Sequence, residues 1–147
     1  MKLRVKLNEE MRVKLDEGAK LPDRAHETDA GADLFAPHDV TVPPHGSTVV
    51  DTGVHVELPV GTAGLIVSKS GLNVKCSTLS TGLIDEGYDG SLVVKLYNHG
   101  DKPVVLGKGS KISQLVVLPV LYPEIVEADE IAGGPRGGNG FGSTDET

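Results

Sequence analysis

An all-β domain of many short strands is what this sequence predicts, and three observations carry that prediction. Apolar and polar residues alternate at period two, as in Leu3, Val5, Leu7 and again in Val54, Val56, Leu58. Short Val/Ile/Leu runs recur at 48–50, 63–67, 91–97, 104–106, 112–118 and 120–126, mostly separated by Gly, Pro, Asn or Asp. No stretch of helical length carries a clean apolar stripe; only Ser70–Cys76 suits a turn or two of helix. The spacing of the runs is that of a β-sandwich or barrel.

At the start of the chain, Arg4-Val5-Lys6-Leu7-Asn8-Glu9-Glu10 is nearly copied as Arg12-Val13-Lys14-Leu15-Asp16-Glu17-Gly18. Two copies are too few for a solenoid. They read as a hairpin or as a duplicated N-terminus, with the second copy as the working strand. Aromatics are few (Phe35, Phe141, Tyr88, Tyr97, Tyr122), so Val, Leu and Ile must fill the core. From Ala132 onward the composition turns to Gly-Gly-Pro-Arg-Gly-Gly-Asn-Gly-Phe-Gly-Ser-Thr. Taken alone this is a flexible tail. Its single Arg and Phe among glycines also suit a segment that wraps a ligand, with a cation for phosphate and a ring for a base. The expected division is therefore a β-barrel domain over 1–131, with 1–10 an N-terminal extension or duplicated strand, and a flexible lid over 132–147.

The chain has 147 residues, one domain's worth, and a formal net charge of -7. That charge argues against a general nucleic-acid binder, which needs clustered Lys and Arg. Seven of the fourteen basic residues lie within the first 24 positions, so cations elsewhere are few and local. No apolar run is long enough to span a membrane, and no signal peptide precedes the first strand-like segment. Cys76 is the single cysteine, which excludes an internal disulfide and fits a reducing cytoplasm. Cys76 is expected to act as a small buried hydrophobe. The five histidines (26, 38, 45, 55, 99) show no ligand spacing and read as surface or turn residues.

Chemistry-bearing residue types cluster in five segments: Asp29-Ala30-Gly31-Ala32-Asp33-Leu34; Ser68-Lys69-Ser70-Gly71-Leu72; Gly82-Leu83-Ile84-Asp85-Glu86-Gly87-Tyr88-Asp89-Gly90; Gly107-Lys108-Gly109-Ser110-Lys111-Ile112-Ser113-Gln114-Leu115; and Arg136-Gly137-Gly138-Asn139-Gly140-Phe141-Gly142-Ser143-Thr144. Each has an ordinary structural reading beside a chemical one. Asp85 and Tyr88 suit a hairpin corner, the better reading for that segment alone. Equally, an Asp held at a strand end can deprotonate a water. Ser70 reads locally as a helix N-cap, or as a hydroxyl that cradles phosphate. Asp33 is either a hydrogen-bonded strand residue or a site carboxylate. Gln114, polar within an apolar strand, either faces solvent or belongs to a site.

In order and spacing these segments resemble the five motifs of the trimeric dUTPase family across the chain from about residue 12. The resemblance implies a jelly-roll-like β-barrel, assembled as a homotrimer with sites shared between chains. It also implies hydrolysis of dUTP to dUMP and pyrophosphate with Mg2+. By the same resemblance, Asp85 activates the water that attacks the α-phosphate, and Gln114 hydrogen-bonds nearby. Tyr88 stacks under the deoxyribose and excludes a ribose 2'-hydroxyl, while the backbone around Gly82 and Ile84 reads the uracil edge. Lys69, Ser70 and Gly71 take the phosphates, and Asp33 reaches Mg2+ through water. Arg136 goes to the γ-phosphate, Phe141 stacks over uracil, and Gly142 and Ser143 complete the lid. The chain departs from the family pattern at Lys69 and Lys111, where Arg is commoner. Lys keeps the charge but loses the bidentate fork. Two rivals follow from the same residues. A dCTP deaminase shares the fold but is expected to lack the 136–144 tail. A non-enzymatic jelly-roll binding protein would leave Asp85, Tyr88, Gln114 and Phe141 together without a purpose.

Overall fold

The computed structural model describes residues 10–142. Nine strands and one short helix follow in order: β1 Arg12–Leu15, β2 Ala32–Phe35, β3 Val40–Val42, β4 Ser47–Glu57, β5 Thr62–Val67, α1 Ser70–Cys76, β6 Thr78–Ile84, β7 Ser91–Asn98, β8 Val104–Leu106 and β9 Lys111–Pro119. Seven strands form one sheet in the order β1-β4-β7-β6-β5-β9-β2, and β3 pairs with β8 in a second. Every pairing is antiparallel.

The core sits between these sheets and is aliphatic, as the scarcity of aromatics requires. Val50, Val54 and Val56 of β4, Leu92, Val94 and Leu96 of β7, and Ile112 and Leu115 of β9 all point inward. Leu34, Val40, Val42 and Ile66 meet them from the other strands. In β7 the alternation is complete, with Leu92, Val94 and Leu96 buried while Val93 and Lys95 face out. Period two thus becomes a buried face, each buried aliphatic side chain contributing about 1.5–3 kcal/mol. Polar groups that enter the core are paired. Thr52 donates to the Leu92 carbonyl at 2.6 Å, and Asn98 donates to the carbonyls of Val42 and Lys102 at 3.1 and 2.8 Å. Among the described residues no buried side-chain polar atom lacks a partner.

The runs at 48–50 and 54–58 belong mostly to one strand, β4, whose register shifts between Asp51 and His55. Gly53 takes φ +67° inside that shift, a conformation that favours glycine. The expected helix is present, but its N-cap is Lys69, without a side-chain capping bond, and Ser70 is its first residue. The N-cap reading of Ser70 is therefore displaced by one position. Cys76, expected to be buried, is only partly so, because α1 lies on the surface and buries none of its residues.

The run at 120–126 is not a strand. After Pro119 the chain makes one further backbone bond, Val120 N–H to the Gly61 carbonyl at 2.8 Å, and then leaves the barrel. Leu121 and Ile125 are 89% and 95% exposed. Pro119 and Pro123 lack backbone donors, and the segment finds no strand partner among the described residues. The first copy of the N-terminal repeat lies outside the described residues, apart from Glu10; the second copy is β1, as expected. Among the described residues no helix is long and apolar enough to cross a membrane.

Candidate active site

Three groups of the expected residues occupy three different places. The first gathers where β2, β9 and β5 run side by side. Register sets Asp33 opposite Gln114, and Gln114 opposite Val67, in one row across the sheet. Lys69 and Lys111 both reach Asp33, Lys69 Nζ at 2.5 Å from Oδ1 and Lys111 Nζ at 3.1 Å from Oδ2. The Asp33 side chain is 5% exposed. Burial pushes its carboxyl up, but the hydrogen bonds and charges of the two lysines outweigh burial and hold it below 3.8. Beside it, Gln114 Nε2 donates to the Ser68 carbonyl at 2.9 Å. A Cβ on Gly31 would lie 2.3 Å from the Gln114 side-chain oxygen, so glycine is what lets that amide sit flat on β2. Ser70 and Gly71 follow Lys69 on the exposed start of α1, and the Ser70 hydroxyl has no hydrogen-bond partner among the described residues. The result is a fixed, cation-bearing ledge with open donors at its lip.

A second group surrounds the loop from Asp85 to Gly90. Here β6 changes partner. Thr78–Ser80 pair with β7, while Thr81–Ile84 pair with β5. The β6–β7 ladder therefore stops at Ser80, and the strands splay toward the loop. A cavity of about 190 Å³ opens there, lined by Leu83, Ile84, Asp85, Tyr88, Ser91 and Val93. The backbone from Thr81 to Ile84, including Gly82 and Ile84, has no ladder partner on that side. Asp85 is exposed at the rim, and its carboxylate accepts no hydrogen bond among the described residues. The Tyr88 hydroxyl donates to the Ser91 carbonyl at 2.9 Å, laying the ring along the loop. A Cβ on Gly90 would come within 2.4 Å of that hydroxyl, so Gly90 gives the ring its place.

Both shoulders of this loop are fastened. On one side Glu86 Oε1 accepts from the Gly61 amide at 2.6 Å and from the Tyr122 hydroxyl at 3.0 Å. On the other, His55 Nδ1 donates to the Asp89 carbonyl at 2.8 Å. These supports escaped sequence reasoning. Glu86 carried no signal beyond adjacency to Asp85, and Tyr122 only its rarity as an aromatic. His55 reads in sequence as one more surface or turn histidine, whereas it lies within β4.

The third group, Arg136, Phe141 and Gly142, is fully exposed in the tail, where two local turn bonds (Gly137 N–H to Gly134, Asn139 N–H to Arg136) are the only backbone contacts among the described residues. Ser143 lies outside the described residues.

One chain does not bring the ledge and the loop together. Gly64 stands opposite Ile84 and Val67 opposite Thr81, which puts Ala63 across from Asp85, four residues before Val67 in the row of Asp33 and Gln114. At roughly 3.3 Å per residue the two groups lie about 13 Å apart along β5.

A sequence profile of the dUTPase family matches residues 17–145. The chain belongs to the dUTPase family. It is similar to the deoxyuridine 5'-triphosphate nucleotidohydrolases of Gloeothece citriformis (42% identical over 135 residues, 90% of this chain and 93% of that one) and of Alkaliphilus metalliredigens (44% over 129 residues, 86% and 90%). Among solved structures it resembles the Staphylococcus bacteriophage 80alpha dUTPase with dUPNHPP, at TM-score 0.86 and 32% identity, covering 92% of this chain and 98% of that one. A mutant dUTPase from phage phi11 of S. aureus, described with a structural Mg(II) ion, aligns at TM-score 0.77 and 30% identity over 83% and 98%. The barrel is thus the jelly-roll-like fold of the dUTPases, and the chain is an enzyme of that family, a nucleotide hydrolase.

Proposed function

We propose that this dUTPase-family enzyme hydrolyses dUTP to dUMP and pyrophosphate in sites built from several copies of the chain. The observation that carries the reading is the splayed end of β6 and β7, where an unpartnered Asp85 carboxylate stands beside Tyr88 and an unpaired stretch of backbone. The backbone at Gly82 and Ile84 offers amide and carbonyl groups to the uracil edge, as a pairing base would. Tyr88 then lies under the deoxyribose and excludes a 2'-hydroxyl. Asp85 takes a proton from water as its oxygen attacks the α-phosphorus. The bond from that phosphorus to the oxygen bridging to the β-phosphate breaks, and pyrophosphate leaves with the electron pair. Gln114 orients the water and phosphates, and Lys69, Ser70 and Gly71 receive the α- and β-phosphates.

Mg2+, when bound, would neutralise the triphosphate charge, with Asp33 reaching it through water. The donor set fits that role. Asp33 already accepts both lysines through its two oxygens, and a carboxylate retains lone pairs for a bridging water. Among the described residues no cluster of three His, Cys, Asp or Glu could hold a cation directly.

The separation of about 13 Å along β5 between ledge and loop favours sites shared across copies, and a homotrimer is the assembly we propose. Arg136, Phe141, Gly142 and Ser143 would close from a neighbouring chain, with Arg136 on the γ-phosphate and Phe141 over the uracil. In a cytoplasm such activity limits uracil entry into DNA and supplies dUMP. Incubation with dUTP, dCTP or UTP plus Mg2+, followed by product separation, tests the reading. Pyrophosphate and dUMP from dUTP alone are expected. Ammonia from dCTP, or no turnover, would overturn it.

A further inference from the structure

We infer that His55 is a positioning residue that fastens the Asp85–Gly90 loop, with its doubly protonated ring bridging Asp89 to Asp16. The inference rests on the reading that this loop carries the catalytic base.

Three elements converge on the ring. Asp16, at the end of β1, is fixed by its amide, which donates to the Gly53 carbonyl at 2.8 Å. His55 stands at the end of the β4 register shift, opposite Ser91 at the start of β7. His55 Nδ1 lies 2.8 Å from the Asp89 carbonyl and Nε2 lies 2.9 Å from Asp16 Oδ2. A carbonyl oxygen only accepts, and so does an ionised carboxylate. Both ring nitrogens must therefore donate, which a neutral imidazole cannot do. The geometry asks for the imidazolium, as a strut between β1 and the loop.

The charged surroundings agree. Arg12, Lys14 and Asp16 face the ring's cavity or the ring itself from β1, Asp51 and Glu57 from β4, and Asp89 from the loop; the cavity holds about 260 Å³. The Asp89 carbonyl, followed by Asp16, raises the His55 pKa above 6.5, against desolvation and the charge of Lys14. Asp51 meanwhile accepts from the Gly53 amide at 3.0 Å and from the Ser91 hydroxyl, which holds the start of β7 to the same frame. With a raised pKa, the strut is complete below 6.5 and is lost as pH rises through the folded value. A neutral ring keeps one N–H and so only one of the two bonds, and the loop, which carries Asp89 four residues from Asp85, is no longer tied through the ring to Asp16.

Two variants of the full-length enzyme and two readouts test this. For the wild type, kcat/KM is expected to fall about tenfold as pH rises through the His55 transition, since small misplacements of a catalytic group have effects of this size. Asp16→Asn should move that fall to lower pH, and His55→Gln should abolish it. Amide-exchange protection of Tyr88, whose N–H donates to the Asp85 carbonyl at 3.2 Å, corrected for intrinsic rates, should drop over the same pH range in the wild type and stay low in His55→Gln. A fall in kcat/KM that neither variant moves, or unchanged protection in His55→Gln, would overturn the strut. Should the wild type hydrolyse no dUTP at any pH, the proposed function fails, and the exchange measurement still decides the strut.

Discussion

The loop from Asp85 to Gly90 and the tail from Val120 to Gly142 carry comparable shares of the family motifs, yet they are held very differently. The loop is exposed but fastened at both shoulders, by Glu86 to Gly61 and Tyr122 and by Asp89 to His55. The tail is exposed and, past Tyr122, makes only turns within itself among the described residues. Exposure alone does not separate them; the number of long-range polar contacts does. A base that must meet water in one orientation needs a rigid mount. A cover that must admit and release a nucleotide needs the opposite.

Breaking the rigid half should have the largest effect. Asp85→Asn is expected to lower kcat about a thousandfold, the middle of the range for general base catalysis, while dUTP binding measured by calorimetry persists. Near-normal turnover would remove Asp85 from its role. The tail comes next. Removing residues 136–147 should cost roughly 10- to 100-fold in kcat/KM, in line with about 1–3 kcal/mol for base stacking, with the melting temperature unchanged. A lower melting temperature would make the tail part of the folded body instead.

The ledge sharpens the comparison, since it is the most buried of the three groups. Asp33→Asn leaves Lys69 and Lys111 without their shared carboxylate and should cost about 2 kcal/mol by denaturant unfolding, the lysines being partly in water. Because the folded Asp33 carboxyl is held below 3.8, its contribution is present above that pH and is lost as pH falls through the lower folded value. The wild type should thus be less stable in acid by a margin that Asp33→Asn lacks. The smallest effect is expected from Glu86→Gln, which weakens one shoulder of the loop. It should lower kcat only a few-fold, as befits about 1 kcal/mol for one hydrogen-bonded support.

The legible part of this molecule was the part governed by local pattern. Alternation announced β4, β5, β7 and β9, and the turn-rich gaps announced most of their boundaries. The five segments announced which residues to watch. Partners distant in sequence were hidden. Nothing around Lys69 or Lys111 says that both close on Asp33, 36 and 78 positions away in the chain. Nothing near His55 says that its ring meets the Asp89 carbonyl, 34 positions away. The run at 120–126 misled for a physical reason. Its aliphatic residues suit a strand, but Pro119 and Pro123 break its row of backbone donors and it pairs with no strand among the described residues.

The central claim is that no single chain completes a site. Complementation tests it most directly: Asp85→Asn and the chain lacking residues 136–147, each impaired alone, are unfolded together, refolded as a mixture and assayed for pyrophosphate release from dUTP. Sites that combine the intact loop of one variant with the intact tail of the other should restore a substantial share of wild-type activity. Activity no greater than the sum of the two separate variants would mean that each chain closes its own site.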